Sequence, residues 1–392
     1  MIINFFGDFS QEGRAKGFSP EDFISSFKGV AHILDSADYN IVNLECAPDI
    51  HRGAMIPKVG PHLSCNGTAL SALKDCGFNC LALANNHFAD FGPDSVKDSI
   101  SLIDSMEFDH VGAGKDLTDA GNTLMVSIQG KTVAFINCCE HEFTVAATDS
   151  AGCNPMDPIK QFETIHTASK AADYVFVYVH GGSEHYNLPT PRMQSTYRFF
   201  IDCGADLVVN CHQHLFSGYE YYHDKPIVYG LGNFFFDSPE RLNTPWNYGY
   251  VLQISILDRL KIDLIPYKQC NGEPVISLLN TAEKEAFESK IDELNKLIQN
   301  PAELQKRYDD WVVEKTEGYM YSIFPPVRKG FFARKWARLM RKFFRKEPLS
   351  RNGLTETAQK TLYNLVHCES HRDTLLAILA KRIKLETKEK AK

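Results

Sequence analysis

The chain has 392 residues, 44% of them hydrophobic and 23% charged, and a formal net charge of −7. This is the balance of a globular protein with one large domain or two smaller ones, and it excludes the fibrous and disordered classes. No run reaches the roughly 18 apolar residues that a membrane-spanning helix needs, and the opening MIINFFGDFS reads as a strand with no basic-then-apolar export signal, so a cytoplasmic protein is expected.

In chain order, β-rich runs fall at 2–6, 39–44, 78–84, 132–138, 174–179, 207–210, 226–229, 250–256 and 261–267, with helical stretches between them. That alternation predicts an α/β fold. Ser19 followed by Pro20, Glu21 and Asp22 marks a helix start, because the serine can cap the first turn and the acids face its exposed N–H groups. Two further helices are expected to begin near Pro93 and Pro191. At Asn271-Gly272-Glu273-Pro274 the strand pattern stops, and from 282 onward the chain reads as charged helix. Domains at 1–270 and 280–392 follow. Eleven cysteines scattered along so long a chain, with no CxxC pair, point to reduced buried thiols rather than a disulfide framework or a cysteine-rich zinc site.

Polar residues of ligand type stand just after the strand-like runs, where an α/β sheet builds its sites. They are Asp8 after the first, Glu45 after the second, Asn85, Asn86, His87 and Asp90 after the third, His180 and Glu184 further on, and His212 with His214. Each alone has a plainer reading. An Asp after a strand is most often a turn or cap residue, one of Asn85 and Asn86 reads as a turn residue, and His180 reads equally well as a core histidine. Their joint occurrence in one domain points instead to a shared site. His212 and His214, two apart in an extended segment, would face the same way. Carboxylate, amide and imidazole together suit Mn, Fe or Zn better than the all-oxygen shells of Ca or Mg, and two divalent metal ions could share the set.

The run from Leu81 to Gly92, LALANNHFADFG, preceded by Gly7-Asp8 and Asn43-Leu44-Glu45, resembles the CapA/PgsA family of capsule and poly-γ-glutamate biosynthesis proteins, relatives of the calcineurin-like metallophosphoesterases. Gly112-Ala113-Gly114, the 180–184 segment and 226–234 ending at Asp237 extend the match over about 1–270. The resemblance implies a metallophosphatase-like β-sandwich flanked by helices, with a C-terminal helical extension. It implies Asp8 and His214 on one metal, Asn86, His180 and His212 on the other, and Glu45 bridging. His87 would face the leaving group, oriented by Asp90, and Glu184 would support the ligands or act as a further acid–base group. Departures touch the substrate side: Gly181 stands where the family usually has Trp, His185 where it has Tyr, and the 210–214 run replaces Gly-x-His-Pro-His.

Residues 328–346 hold nine Lys or Arg and no acid, which leaves the rest of the chain still more acidic. Phe332, Trp336, Leu339, Met340 and Phe343 share one helical face there, the pattern of a basic amphipathic helix for an anionic membrane surface or for docking on the acidic main domain. An acidic body argues against nucleic acid as a partner. The expected function is a metal-dependent hydrolase for a phosphoester or amide in an anionic surface polymer or its lipid-linked precursor, with peripheral contact at the inner membrane face. The alternatives are a non-catalytic metal-binding module of a polymer assembly and, below it, a nucleic-acid phosphodiesterase.

Overall fold

A computed structural model describes residues 1–48, 54–257, 259–323 and 356–390. The strands in chain order are β1 (Ile2–Ser10), β2 (Tyr39–Leu44), β3 (Cys80–Ala82), β4 (Asp109–Val111), β5 (Ala113–Gly114), β6 (Leu124–Ile128), β7 (Lys131–Cys139), β8 (Gly152–Cys153), β9 (Tyr174–His180), β10 (Leu207–Cys211), β11 (Tyr219–Tyr222), β12 (Lys225–Val228), β13 (Asn233–Phe236), β14 (Tyr248–Ile256), β15 (Leu260–Gln269) and β16 (Ile276–Leu278). One sheet has the order β16-β15-β14-β1-β2-β3-β4, with β13 also pairing with β1. The other runs β11-β12-β10-β9-β7-β6.

The two sheets face each other. Ile3 and Phe5 of β1 and Ile41 of β2 share a core with Phe135, Phe176 and Tyr178 of the second sheet, where Phe5 meets Phe176 and Tyr178 edge-on at 6.0 and 5.7 Å. The opposite faces of β1 and β2, through Phe6, Phe9, Val42 and Leu44, bury against the helices at Pro20–Phe27 and Gly67–Asp75. A strand covered on both faces reads as a continuous apolar run, which is why β1 shows no alternation. Helices Pro158–Ala171 and Pro191–Asp202 pack on β7, β9 and β10 of the second sheet. The expected α/β sandwich flanked by helices is therefore the architecture observed.

Local signals carry through. Ser19 caps its helix in a reciprocal box with Asp22, and the helix at Pro191 is capped by Thr190. All eleven cysteines are free thiols, ten of them buried. Strand β1, however, runs on to Ser10, so Asp8 lies within it and not after it.

The chain divides into two compact units, one formed by 1–56 with 62–305 and the other by 57–61 with 306–392. The first includes the helix Thr281–Ile298, whose Phe287 and Ile291 join the core between the sheets. Among the described residues of the second, the helix Glu356–His367 packs against Glu369–Lys390, and the Tyr319 hydroxyl lies 2.7 Å from the His371 ring. No helix among the described residues is long and apolar enough to cross a membrane. The basic segment 328–346 lies outside the described residues.

Candidate metal centre

Strands β1, β2 and β3 are mutually parallel, as are β7, β9, β10 and β12, and their carboxyl ends supply the site. At Asp8 the pairing of β1 slips register against both β2 and β13, a bulge that re-aims the side chain. Asn43 Nδ2 donates to Asp8 Oδ1 at 2.8 Å, and the His212 backbone N–H donates to Asp8 Oδ2 at 3.2 Å.

The ligand-type atoms form overlapping groups, each within 4.8 Å: Asp8, Glu45 and His214 in one, and Glu45, His180 and His212 in another. Glu45 belongs to both. His180 Nε2 lies 2.9 Å from His212 Nδ1, 3.0 Å from Asn86 Oδ1 and 3.7 Å from Glu45 Oε1. A third group, Asp8, His180 and Cys211, involves the other His180 nitrogen, Nδ1, which sits 3.3 Å from both Asn43 Nδ2 and the Cys211 sulfur. Burial and Asp8 push the Cys211 thiol well up, so it stays protonated and orients the ring.

Of the two adjacent asparagines, Asn85 is the turn residue: its Oδ1 accepts from the His87 and Phe88 N–H groups at 3.0 and 2.8 Å, leaving Asn86 to face His180. The turn also places His87, whose Nδ1 lies 2.7 Å from Asp90 Oδ2, an oxygen that accepts the Leu63 N–H as well. His87 is close enough to depress the pKa of His180. Glu184 is exposed and makes itself felt through its charge, raising Glu45, His212 and His214.

His212 and His214 converge by a route the sequence does not announce. They do not lie in an extended segment; both have left-handed backbone, φ 98° and 58°, just past the end of β10. Such conformations are costly for residues with a Cβ and concentrate at functional sites. Three further neighbours are not among the site residues expected from the sequence, although Asn233 lies in the 226–234 run. Asn233 Oδ1 lies 2.9 Å from His214 Nδ1, Glu142 Oε1 lies 3.7 Å from His212 Nε2, and Trp246 packs on the His214 ring at 4.6 Å. Glu142 carries the signal used for the others, an acid just past a strand end. Trp246 carries none, because it arrives from a distant loop.

Electrostatics mark Glu45. Its side chain has no solvent exposure, and neither carboxylate oxygen has a hydrogen-bond partner. Burial first, then the charge of Asp8, raises its pKa well above the ordinary value. Burial lowers His180 and His212, whereas His214, in spite of burial, is pushed up to about 10 by Glu45 and Asp8. Carboxylate oxygens, two imidazoles held neutral and a third whose proton is kept by Glu45 and Asp8 make a donor set that fits divalent metal ions, which would take the place of that proton.

A family model described as bacterial capsule synthesis protein PGA_cap matches residues 2–238. The capsule biosynthesis protein CapA of Bacillus anthracis is 32% identical over 219 residues, 54% of this chain and 53% of that protein. The PGA biosynthesis protein CapA of Bacillus subtilis (strain 168) is 33% identical over 216 residues, 54% of this chain and 57% of that one. This chain thus spans about half the length of the curated relatives it matches. Among solved structures, a hypothetical protein from Thermus thermophilus aligns at 14% identity with a TM-score of 0.45, over 68% of this chain and 99% of that one. A 5'-nucleotidase from Candida albicans SC5314 aligns at 12% and 0.38, over 80% and 58%. The matched region contains every member of the cluster from Asp8 through His214 to Asn233, and on that match this chain belongs to the family of bacterial capsule synthesis proteins.

Proposed function

We propose that this chain is a metal-dependent hydrolase acting in the synthesis or processing of an anionic cell-surface polymer, on a phosphoester or amide of the polymer or its lipid-linked precursor. The observation that carries the reading is Glu45, a fully buried carboxylate with both oxygens unsatisfied, set between Asp8 and three imidazoles. A buried carboxylate without hydrogen bonds costs several kcal/mol, and among the described residues no donor comes within hydrogen-bond reach of Glu45, the His214 ring standing 4.0 Å away; a divalent ion would supply direct contacts to its oxygens. In this reading Asp8 and His214 hold one divalent ion, Asn86, His180 and His212 hold a second, and Glu45 serves both, with Mn, Fe or Zn suited to the mixed oxygen and nitrogen set. Ions bound there would lower the pKa of a coordinated water and polarise the group under attack.

The protein's own part is acid–base. His87, fixed through Nδ1 by Asp90, presents its other edge as the donor of a proton to the departing group, and Asp90 is itself anchored by the Leu63 N–H. A module that only held metal would have no need of this dyad, which favours the hydrolase over a non-catalytic accessory role. The test is metal analysis of the purified protein with Glu45→Gln and His212→Ala beside it, followed by turnover of a chromogenic phosphodiester and a γ-glutamyl anilide. One or two equivalents of Mn, Fe or Zn in the parent, largely lost in both variants, and turnover of either substrate are expected. A parent that takes up none of these ions overturns the reading.

A further inference from the structure

Beside His214 stands an assembly outside the candidate ligand groups. Trp246, buried, donates its indole N–H to the Phe236 carbonyl at 3.0 Å, and its ring packs on His214 at 4.6 Å. The Arg241 guanidinium lies over the same indole at 4.2 Å. His185 completes the group, its ring 6.0 Å from both His214 and Trp246 and its Nε2 3.4 Å from Arg241 Nη1. His185 too has left-handed backbone, φ 61°, and its N–H is tied to the Gln213 carbonyl at 3.0 Å. Strained backbone at a side chain that could otherwise relax into solvent marks a position held for use.

What sets Arg241 apart is its partner. Arg14, Arg192 and Arg198 of the same unit each close a short pair with a buried carboxylate, Asp237, Glu140 and Glu220 respectively. Among the described residues Arg241 forms no ion pair with a carboxylate, although it is half-buried two ring contacts from His214, which stands beside Asp8 and Glu45. A guanidinium laid on an aromatic face keeps its planar fork of N–H donors available at the edge, the geometry that takes two oxygens of a carboxylate or phosphate.

We infer that Arg241, positioned on Trp246 and flanked by His185, is a subsite for an oxyanion that the substrate carries next to the bond cleaved at the centre. This rests on the hydrolase reading and narrows its substrate to one bearing a second negative group, a carboxylate or a phosphate, one aromatic layer beyond His214. Neutral esters and amides gain nothing from the subsite.

The test uses the full-length, metal-loaded protein and reads binding as well as turnover. Dissociation constants are measured calorimetrically for γ-glutamyl anilide, its α-carboxamide analogue and inorganic phosphate, for the parent, Arg241→Gln and Arg241→Lys, with metal content recorded for each. Arg241→Gln should weaken the carboxylate-bearing anilide at least tenfold, Arg241→Lys should weaken it less, and the carboxamide should bind the parent and both variants alike. If phosphate responds as strongly as the carboxylate, the subsite serves phosphate as well; if it does not respond, it serves carboxylates. Parent protein that binds these anions without hydrolysing either substrate would refute the hydrolase and leave the subsite standing. The subsite itself is overturned if the parent binds none of the anions, if the carboxamide suffers equally, or if the Arg241 variants lose metal.

Discussion

Glu45 and His214 both favour their protonated forms, so a cation bound between them competes with protons. Both pKa values are raised, Glu45 by burial and Asp8, His214 by Glu45 and Asp8 against its burial, so each contributes stability that is present below its ordinary value and lost as pH climbs through the raised one. The lowered His180 and His212 act in the opposite sense up to their ordinary value of 6.5, so the metal-free fold should weaken above about pH 6.5, while metal affinity strengthens by about tenfold per pH unit for each proton released. His180 and His212 are lowered and already neutral, so they release none. Calorimetry from pH 6 to 8 in two buffers of different ionisation enthalpy should show proton release on binding; a pH-independent affinity would sink the assignment of Glu45. His87 differs in kind, because it adjoins the ligands without belonging to their groups. His87→Ala should retain metal and lose turnover by about 10²–10⁴-fold, the usual contribution of a general acid, and loss of metal in this variant would make it a ligand instead.

The elements that carry the site were legible to different depths. All nine strands read from the sequence are present, because each is long or buried enough to leave a dense apolar run. The others, such as β5 and β8 with two residues each, are too short to show any period, and β13 is a four-residue strand directly after Gly230 and Gly232. The ligand residues were visible because strand ends are where such residues gather. How they converge was not, since the Asp8 bulge and the left-handed turns at His212 and His214 depend on contacts remote in sequence. Gly7 shows this dependence. A Cβ there would run into the Gly232 carbonyl oxygen, so the close approach of β1 to the turn before β13 requires glycine at the residue preceding Asp8. Gly7→Ala should cost about 1–3 kcal/mol, as overpacking does, and should lower metal affinity by displacing Asp8. Thermal melts with and without metal check it: an unchanged melting temperature would mean that the two segments separate freely.

At the scale of the whole molecule, charge is divided between an acidic main body and the nine cations of 328–346. Under the proposed function a lipid-linked substrate would be met at a bilayer, and no helix among the described residues is long and apolar enough to cross one. The sequence of 328–346 offers a peripheral route, because Phe332, Trp336 and Phe343 recur at helical spacing among Arg334, Lys335, Arg338, Arg341 and Lys342. Each cation near an anionic surface contributes about 1 kcal/mol, and the aromatic face adds its own burial. Because the attraction is mostly coulombic, it should fade as salt shortens the screening length to about 8 Å near physiological ionic strength and further above it. The full chain is therefore expected to sediment with phosphatidylserine-containing vesicles at low salt, to be released as salt is raised, and to ignore neutral phosphatidylcholine vesicles. Replacing Arg334, Lys335, Arg338, Arg341 and Lys342 with Gln should leave it in the supernatant with its bound metal unchanged. If that variant sediments as the parent does, the basic segment is not the membrane contact, and docking against the acidic body becomes the better account of its charge.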